Sequence, residues 1–101
     1  HDSLTDRHYD GIREGVKGIT QLWARELGQS GINVNTIIPG YIEEDNLPLA
    51  DSAELTQFRL KIPVRRFAQA IDIVNAYSFL VTDEASYITG TELVIDGGVR
   101  I

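Results

Sequence analysis

Residues 9–40 read YDGIREGVKGITQLWARELGQSGINVNTIIPG. Apolar side chains fall at Ile12, Val16, Ile19, Leu22, Trp23 and Leu27, a spacing of threes and fours that lines one face of an α-helix and predicts a helix over 9–28. Gly11, Gly15 and Gly18 stand inside that helix, where each costs up to about 1 kcal/mol relative to alanine. They share a face, which predicts a closely packed neighbour. Gly28 suits a C-cap. After a turn at 29–31, the run INVNTII at 32–38 reads as a buried strand closed by Pro39-Gly40.

Downstream, residues 41–51 mix acidic side chains with Pro48 and hold no period, so they read as a loop. Asp51 or Ser52 can cap a helix bearing Leu55, Phe58 and Ile62, ended by Pro63. A further helix over about 69–82 gathers Ile73, Ala76, Tyr77, Leu80 and Val81 on one side. Leu93-Val94-Ile95 then reads as a short strand stopped by Asp96-Gly97-Gly98. Two apolar strands separated by helices ask for a parallel sheet covered on both faces, and such sheets normally have more than two strands. The expectation is an α/β fold whose remaining strands lie upstream, with self-association of the short chain.

Composition removes several function classes. The chain has 101 residues, 43% hydrophobic and 24% charged, with a formal charge of −6. Nucleic-acid binding normally needs a clustered basic face, and Arg65-Arg66 is a weak candidate for one. There is no cysteine, so disulfides and thiolate metal sites are excluded. With His1 and His8 the only histidines and no carboxylates at helical ligand spacing beside them, no metal is expected. No apolar run approaches the roughly 20 residues that span a bilayer, and residues 1–10 lack a signal-peptide pattern. The expectation is a soluble, cytoplasmic protein without membrane or nucleic-acid partners.

The order Tyr9-x3-Arg13, Gly18-Ile19-Thr20, Ala24, Glu26-Leu27, Gly31-Ile32, Val34-Asn35 and Pro39-Gly40 resembles, in register, the short-chain dehydrogenase/reductase segment that opens with a catalytic Tyr-x3-Lys. The second half agrees: Ile62-Pro63, Arg66-Phe67, Asp72-Ile73, Phe79-Leu80, the run 83–90 (DEASYITG) and Asp96-Gly97-Gly98 are similar to that family's C-terminal run, of the classical, 3-oxoacyl-reductase-like type. The resemblance implies a doubly wound, Rossmann-type parallel sheet with a dinucleotide at the strand ends. Residues 1–101 would be the C-terminal half of one NAD(P)-binding domain, incomplete in this chain. It further implies NAD or NADP as cofactor, a small alcohol or carbonyl as substrate, and a homo-oligomer, dimer or tetramer.

Carried onto this sequence, the resemblance makes Tyr9 the acid/base that protonates a carbonyl oxygen or deprotonates an alcohol. A free phenol, with a pKa near 10, is a poor base at neutral pH and needs a nearby cation. A unit charge at about 4 Å and an effective dielectric near 20 supplies on the order of 4 kcal/mol. Here that cation is Arg13 where the family has lysine. The i, i+4 spacing keeps it on the Tyr9 face, but a guanidinium is larger and planar and does not release its proton; the alternative is a solvated helix residue. Arg13 also takes the position that holds the cofactor ribose, Pro39-Gly40 is the family's Pro-Gly, and Ile42 occupies the position whose backbone meets the nicotinamide carboxamide. Glu44 stands where the family has a threonine near the diphosphate, inside the acidic run Glu43, Glu44, Asp45, which either opposes phosphate or forms an exposed edge. Two functions follow: an NAD(P)-dependent alcohol dehydrogenase or carbonyl reductase, or a catalytically degenerate homologue that keeps fold and association surfaces.

Overall fold

The computed structural model describes residues 4–42 and 52–99, with residues 4–9 and 52 described through their backbone. The elements are α1 (Leu4–Leu27), β1 (Thr36–Pro39), α2 (Ser52–Leu60), α3 (Ala70–Leu80) and β2 (Glu92–Ile95), with short 3-10 turns at Gly28–Ser30 and Asp83–Ala85. The two strands are hydrogen-bonded neighbours. Thr36 N–H donates to Thr91 C=O at 3.0 Å and Gly40 N–H to Ile95 C=O at 2.9 Å; both strands advance together along the ladder, which makes the pair parallel. The chain divides into two compact units, His1–Thr36 with Asp83–Leu93, and Ile37–Thr82 with Val94–Ile101.

In the first unit α1 runs for 24 residues, starting well before the predicted residue 9. α1 ends at Leu27 and Gly28 opens a 3-10 turn, Gly28–Ser30, whose C-cap is Gly31. Its φ of +76° is the left-handed conformation that glycine adopts without a Cβ penalty, and its N–H closes on Gly28 C=O. The closely packed neighbour expected at Gly11, Gly15 and Gly18 is absent: a Cβ at any of them would meet nothing within 4 Å among the described residues. The apolar stripe Ile12, Val16, Ile19, Leu22, Trp23 is exposed. The face that α1 buries carries Thr20 and Ala24 instead. Thr20 Oγ1 donates to Val16 C=O at 2.7 Å and lies 2.6 Å from Thr36 Oγ1. A hydroxyl has one proton, so Thr36 is the donor in the second bond.

The predicted strand over 32–38 begins only at Thr36. Residues 33–35 reach the segment after the second 3-10 turn through asparagine and threonine side chains. Asn33 Nδ2 donates to Ser86 C=O (3.0 Å), Thr89 Oγ1 accepts from Val34 N–H (2.9 Å), and Asn35 both donates to Ile88 C=O (3.1 Å) and accepts from Thr91 N–H (3.1 Å). These side-chain bonds supplement a single main-chain bond, Gly90 N–H to Val34 C=O at 2.7 Å.

In the second unit Ile62, 2% exposed, is the buried anchor. Arg65 takes a positive φ of 63° and its Nη1 donates to the carbonyls of Leu60 (2.9 Å) and Ile62 (3.0 Å), closing the end of α2. α3 is started by Asp72, whose Oδ2 accepts from Gln69 N–H at 2.8 Å and from Arg66 Nη1 at 2.8 Å, while Oδ1 lies 3.2 Å from Arg66 Nη2. The fold is α/β with a parallel strand pair of the Rossmann type. Among the described residues no helix is long and apolar enough to cross a membrane.

The Arg66 hydrogen bond, followed by that from the Gln69 backbone, lowers the Asp72 carboxyl from 3.8 to about 2. A depressed carboxylate contributes stability that is complete above its unfolded pKa and is lost as pH falls through its folded one. Lowering pH from 4 to 2 should therefore loosen the start of α3. Denaturant titrations across that range should show a steeper acid loss in the parent chain than in Asp72→Asn.

Candidate functional site

Helix α1 fixes the spacing of the first two candidates. Tyr9 and Arg13 lie four residues apart on one continuous helix. The Arg13 side chain has a partner that the sequence did not announce: its Nη2 lies 3.8 Å from Oε1 of Glu92, with the two side chains 30% and 20% exposed. Arg13 Nε is buried and has no hydrogen-bond partner among the described residues. An orphaned buried donor costs about 1–3 kcal/mol, while a partly exposed ion pair returns up to about 1 kcal/mol. Arg13 is therefore held in an under-satisfied position.

Glu92 escaped the sequence reading because the strand was placed from Leu93 onward. β2 begins one residue earlier, at Glu92. An acidic residue opening an apolar strand was the available signal, since such a charge needs either solvent or a cation.

Pro39, Gly40 and Ile42 belong to the second unit. Pro39 ends β1, where its missing N–H leaves no ladder donor to satisfy. Gly40 is set by packing: a Cβ there would stand 2.7 Å from the Asp96 Cβ and 2.8 Å from its Cα. Its glycine is thus required by the close approach of the residues that follow β1 and β2. Ile42 forms an isolated parallel bridge with Ala68. The bond in that bridge runs from Ala68 N–H to Tyr41 C=O at 2.8 Å, so the N–H and C=O of Ile42 itself are turned away from it. Tyr41 packs edge-on against Phe58, with centroids 5.9 Å apart and planes at 62°. It also lines a cleft of about 250 Å³ with Ile62, Val64, Ala68 and Ile95, rimmed by the Arg66–Asp72 pair.

The candidates thus form two groups, Tyr9 with Arg13 and Pro39 to Ile42, each described within its own unit. Glu43, Glu44 and Asp45 lie outside the described residues, as does the Tyr9 side chain. Among the described residues no group of three or more histidine or acidic side chains is placed to hold a metal.

Residues 4–100 match the family model described as enoyl-(acyl carrier protein) reductase. The 3-oxoacyl-[acyl-carrier-protein] reductase FabG of Staphylococcus aureus strain Mu50 is 39% identical over 92 residues, 91% of this chain and 37% of that protein. Among solved structures, a proposed 2-deoxy-d-gluconate 3-dehydrogenase from Agrobacterium tumefaciens with bound NADP superposes with a TM-score of 0.79 at 40% identity, covering 91% of this chain and 38% of that one. A short chain dehydrogenase from Bacillus anthracis gives a TM-score of 0.71 at 32% identity, covering 87% and 33%. The chain therefore spans little more than a third of the relatives it matches.

The packing separates glycines that the fold requires from those it does not. Gly40→Ala forces backbone to move and should lose about 1–3 kcal/mol. Gly15→Ala meets nothing within 4 Å and should gain about 0.5–1 kcal/mol by favouring the helix. Chemical denaturation of both variants measures the opposite signs.

Proposed function

The chain belongs to the short-chain dehydrogenase/reductase family, and we propose that it is the C-terminal half of a single NAD(P)-binding domain in an oxidoreductase that interconverts a small alcohol and its carbonyl. The observation that carries this reading is the Tyr9-x3-Arg13 pair on one unbroken helix, followed in family register by Pro39-Gly40 and Ile42.

Each unit, taken by itself, holds a residue whose chemistry fits a dinucleotide. Ile42 keeps its peptide N–H and C=O outside the Ala68 bridge, where they can meet an amide. Arg13 offers a cation and an Nε donor that has no hydrogen-bond partner among the described residues. When bound, the dinucleotide supplies or accepts the hydride. Tyr9 holds the proton at its phenolic oxygen, giving it to a carbonyl oxygen in reduction and taking it from the alcohol in oxidation. Arg13, four residues along the helix from Tyr9, favours the phenolate electrostatically. The substrate is a small molecule and the setting the cytoplasm. The exposed stripe Ile12, Val16, Ile19, Leu22 and Trp23 supports a homo-oligomer, dimer or tetramer.

The alternative is a homologue that keeps the fold without the chemistry. It is favoured by the engagement of Arg13 with Glu92, which withdraws charge from the site.

Two measurements test the proposal. The 101-residue chain should bind NADH and NADPH weakly, because the glycine-rich phosphate turn that anchors the diphosphate in this fold is not part of its sequence. A low-micromolar Kd by fluorescence titration would count against that view. In the protein that carries this chain, Tyr9→Phe should lower turnover at least about a hundredfold with the fold intact by circular dichroism. Arg13→Lys should keep or raise activity and Arg13→Met should lower it. Turnover of Tyr9→Phe within about twofold of the parent would leave no general acid–base role for Tyr9 and would select the alternative.

A further inference from the structure

The register of the first unit decides where the Arg13 side chain goes. Thr20 meets Thr36 at the start of β1, Thr36 bonds to Thr91, and Glu92 is the next residue. The Arg13 guanidinium, on α1 of the same unit, lies 3.8 Å from the Glu92 carboxylate, and Tyr9 lies four residues before Arg13 on that helix. The hold is slack: 3.8 Å is well beyond the roughly 2.7–2.9 Å of a charge-assisted hydrogen bond, and the buried Nε gains no acceptor from it.

Building on the roles proposed for Tyr9 and Arg13, we propose that Glu92 is a positioning residue that acts as a tether, holding the Arg13 guanidinium until a bound dinucleotide competes for it. The ligand that releases the tether is one with hydroxyl or anionic oxygens, able to accept from the guanidinium what Glu92 accepts incompletely. Glu92 then tunes cofactor affinity without touching the cofactor. The free protein carries its cation neutralised, and part of the binding free energy is spent on separating the pair.

The test uses Glu92→Gln in the protein that carries this chain, with Arg13→Met as reference background. Exchange of the Arg13 Hε proton is followed by NMR without cofactor, and Kd for NADH and NADPH by fluorescence. The tether requires Hε to exchange at least about fivefold faster in Glu92→Gln and Kd to fall about threefold or more. Glu92→Gln should change nothing further in the Arg13→Met background. Glu92→Thr, a residue strands favour, provides the same readouts if glutamine disturbs β2. Unchanged Hε exchange in a variant that is folded by circular dichroism overturns the tether. Faster exchange with unchanged Kd also overturns the proposal, while a Kd that is equal in the parent and in Arg13→Met separately removes Arg13 as a cofactor contact.

Discussion

Two main-chain hydrogen bonds, Thr36 N–H to Thr91 C=O and Gly40 N–H to Ile95 C=O, fix the parallel register of β1 and β2, and the local geometry follows from that register. It sets Glu92 at the level of α1 where Arg13 can reach it. It also brings Gly40 so near Asp96 that no side chain fits between them. A shift of one residue would turn every side chain of β2 to the opposite face, taking Glu92 from Arg13.

The helices were legible because their period is local. A stripe spaced by threes and fours declares α1 without reference to the rest of the chain. The start of β1 was not legible, since Asn33 and Asn35 carry the pairing through their side chains with residues far along the sequence. Alternation of polar and apolar residues looks the same whether backbone or amide side chain makes the bond. Gly28 and Gly31 share the end of the helical segment: Gly28 follows α1 and opens the 3-10 turn, and Gly31, with its positive φ, caps that turn. At the site, the spacing of Tyr9 and Arg13 came through the family resemblance. The Glu92 contact depends on the tertiary register, which no local pattern encodes.

The stripe on α1 raises a question of surface accounting. Fully burying a side chain such as valine, leucine or isoleucine contributes about 1.5–3 kcal/mol, and Ile12, Val16, Ile19, Leu22 and Trp23 forgo much of that while exposed. The buried face meanwhile depends on small or polar residues, Thr20 and Ala24. A helix with its larger apolar side chains facing outward is suited to packing on both sides, as a doubly wound sheet or a subunit contact provides. That organisation agrees with a chain that spans little more than a third of its relatives.

The hydroxyl pair Thr36–Thr20 has a direction, running from Thr36 through Thr20 to the Val16 carbonyl. Each member has a different chemical duty, so the two positions differ in what they tolerate. At Thr20 a replacement must both donate and accept while remaining small, which serine alone among the common residues satisfies without a new buried charge. At Thr36 donation is the requirement for this link, and the strand environment favours a β-branched shape. Valine at Thr20 would preserve shape yet leave Thr36 with a proton and no acceptor. The pair thus works as a one-way polar latch between helix and strand, with its polarity set at the Thr20 end.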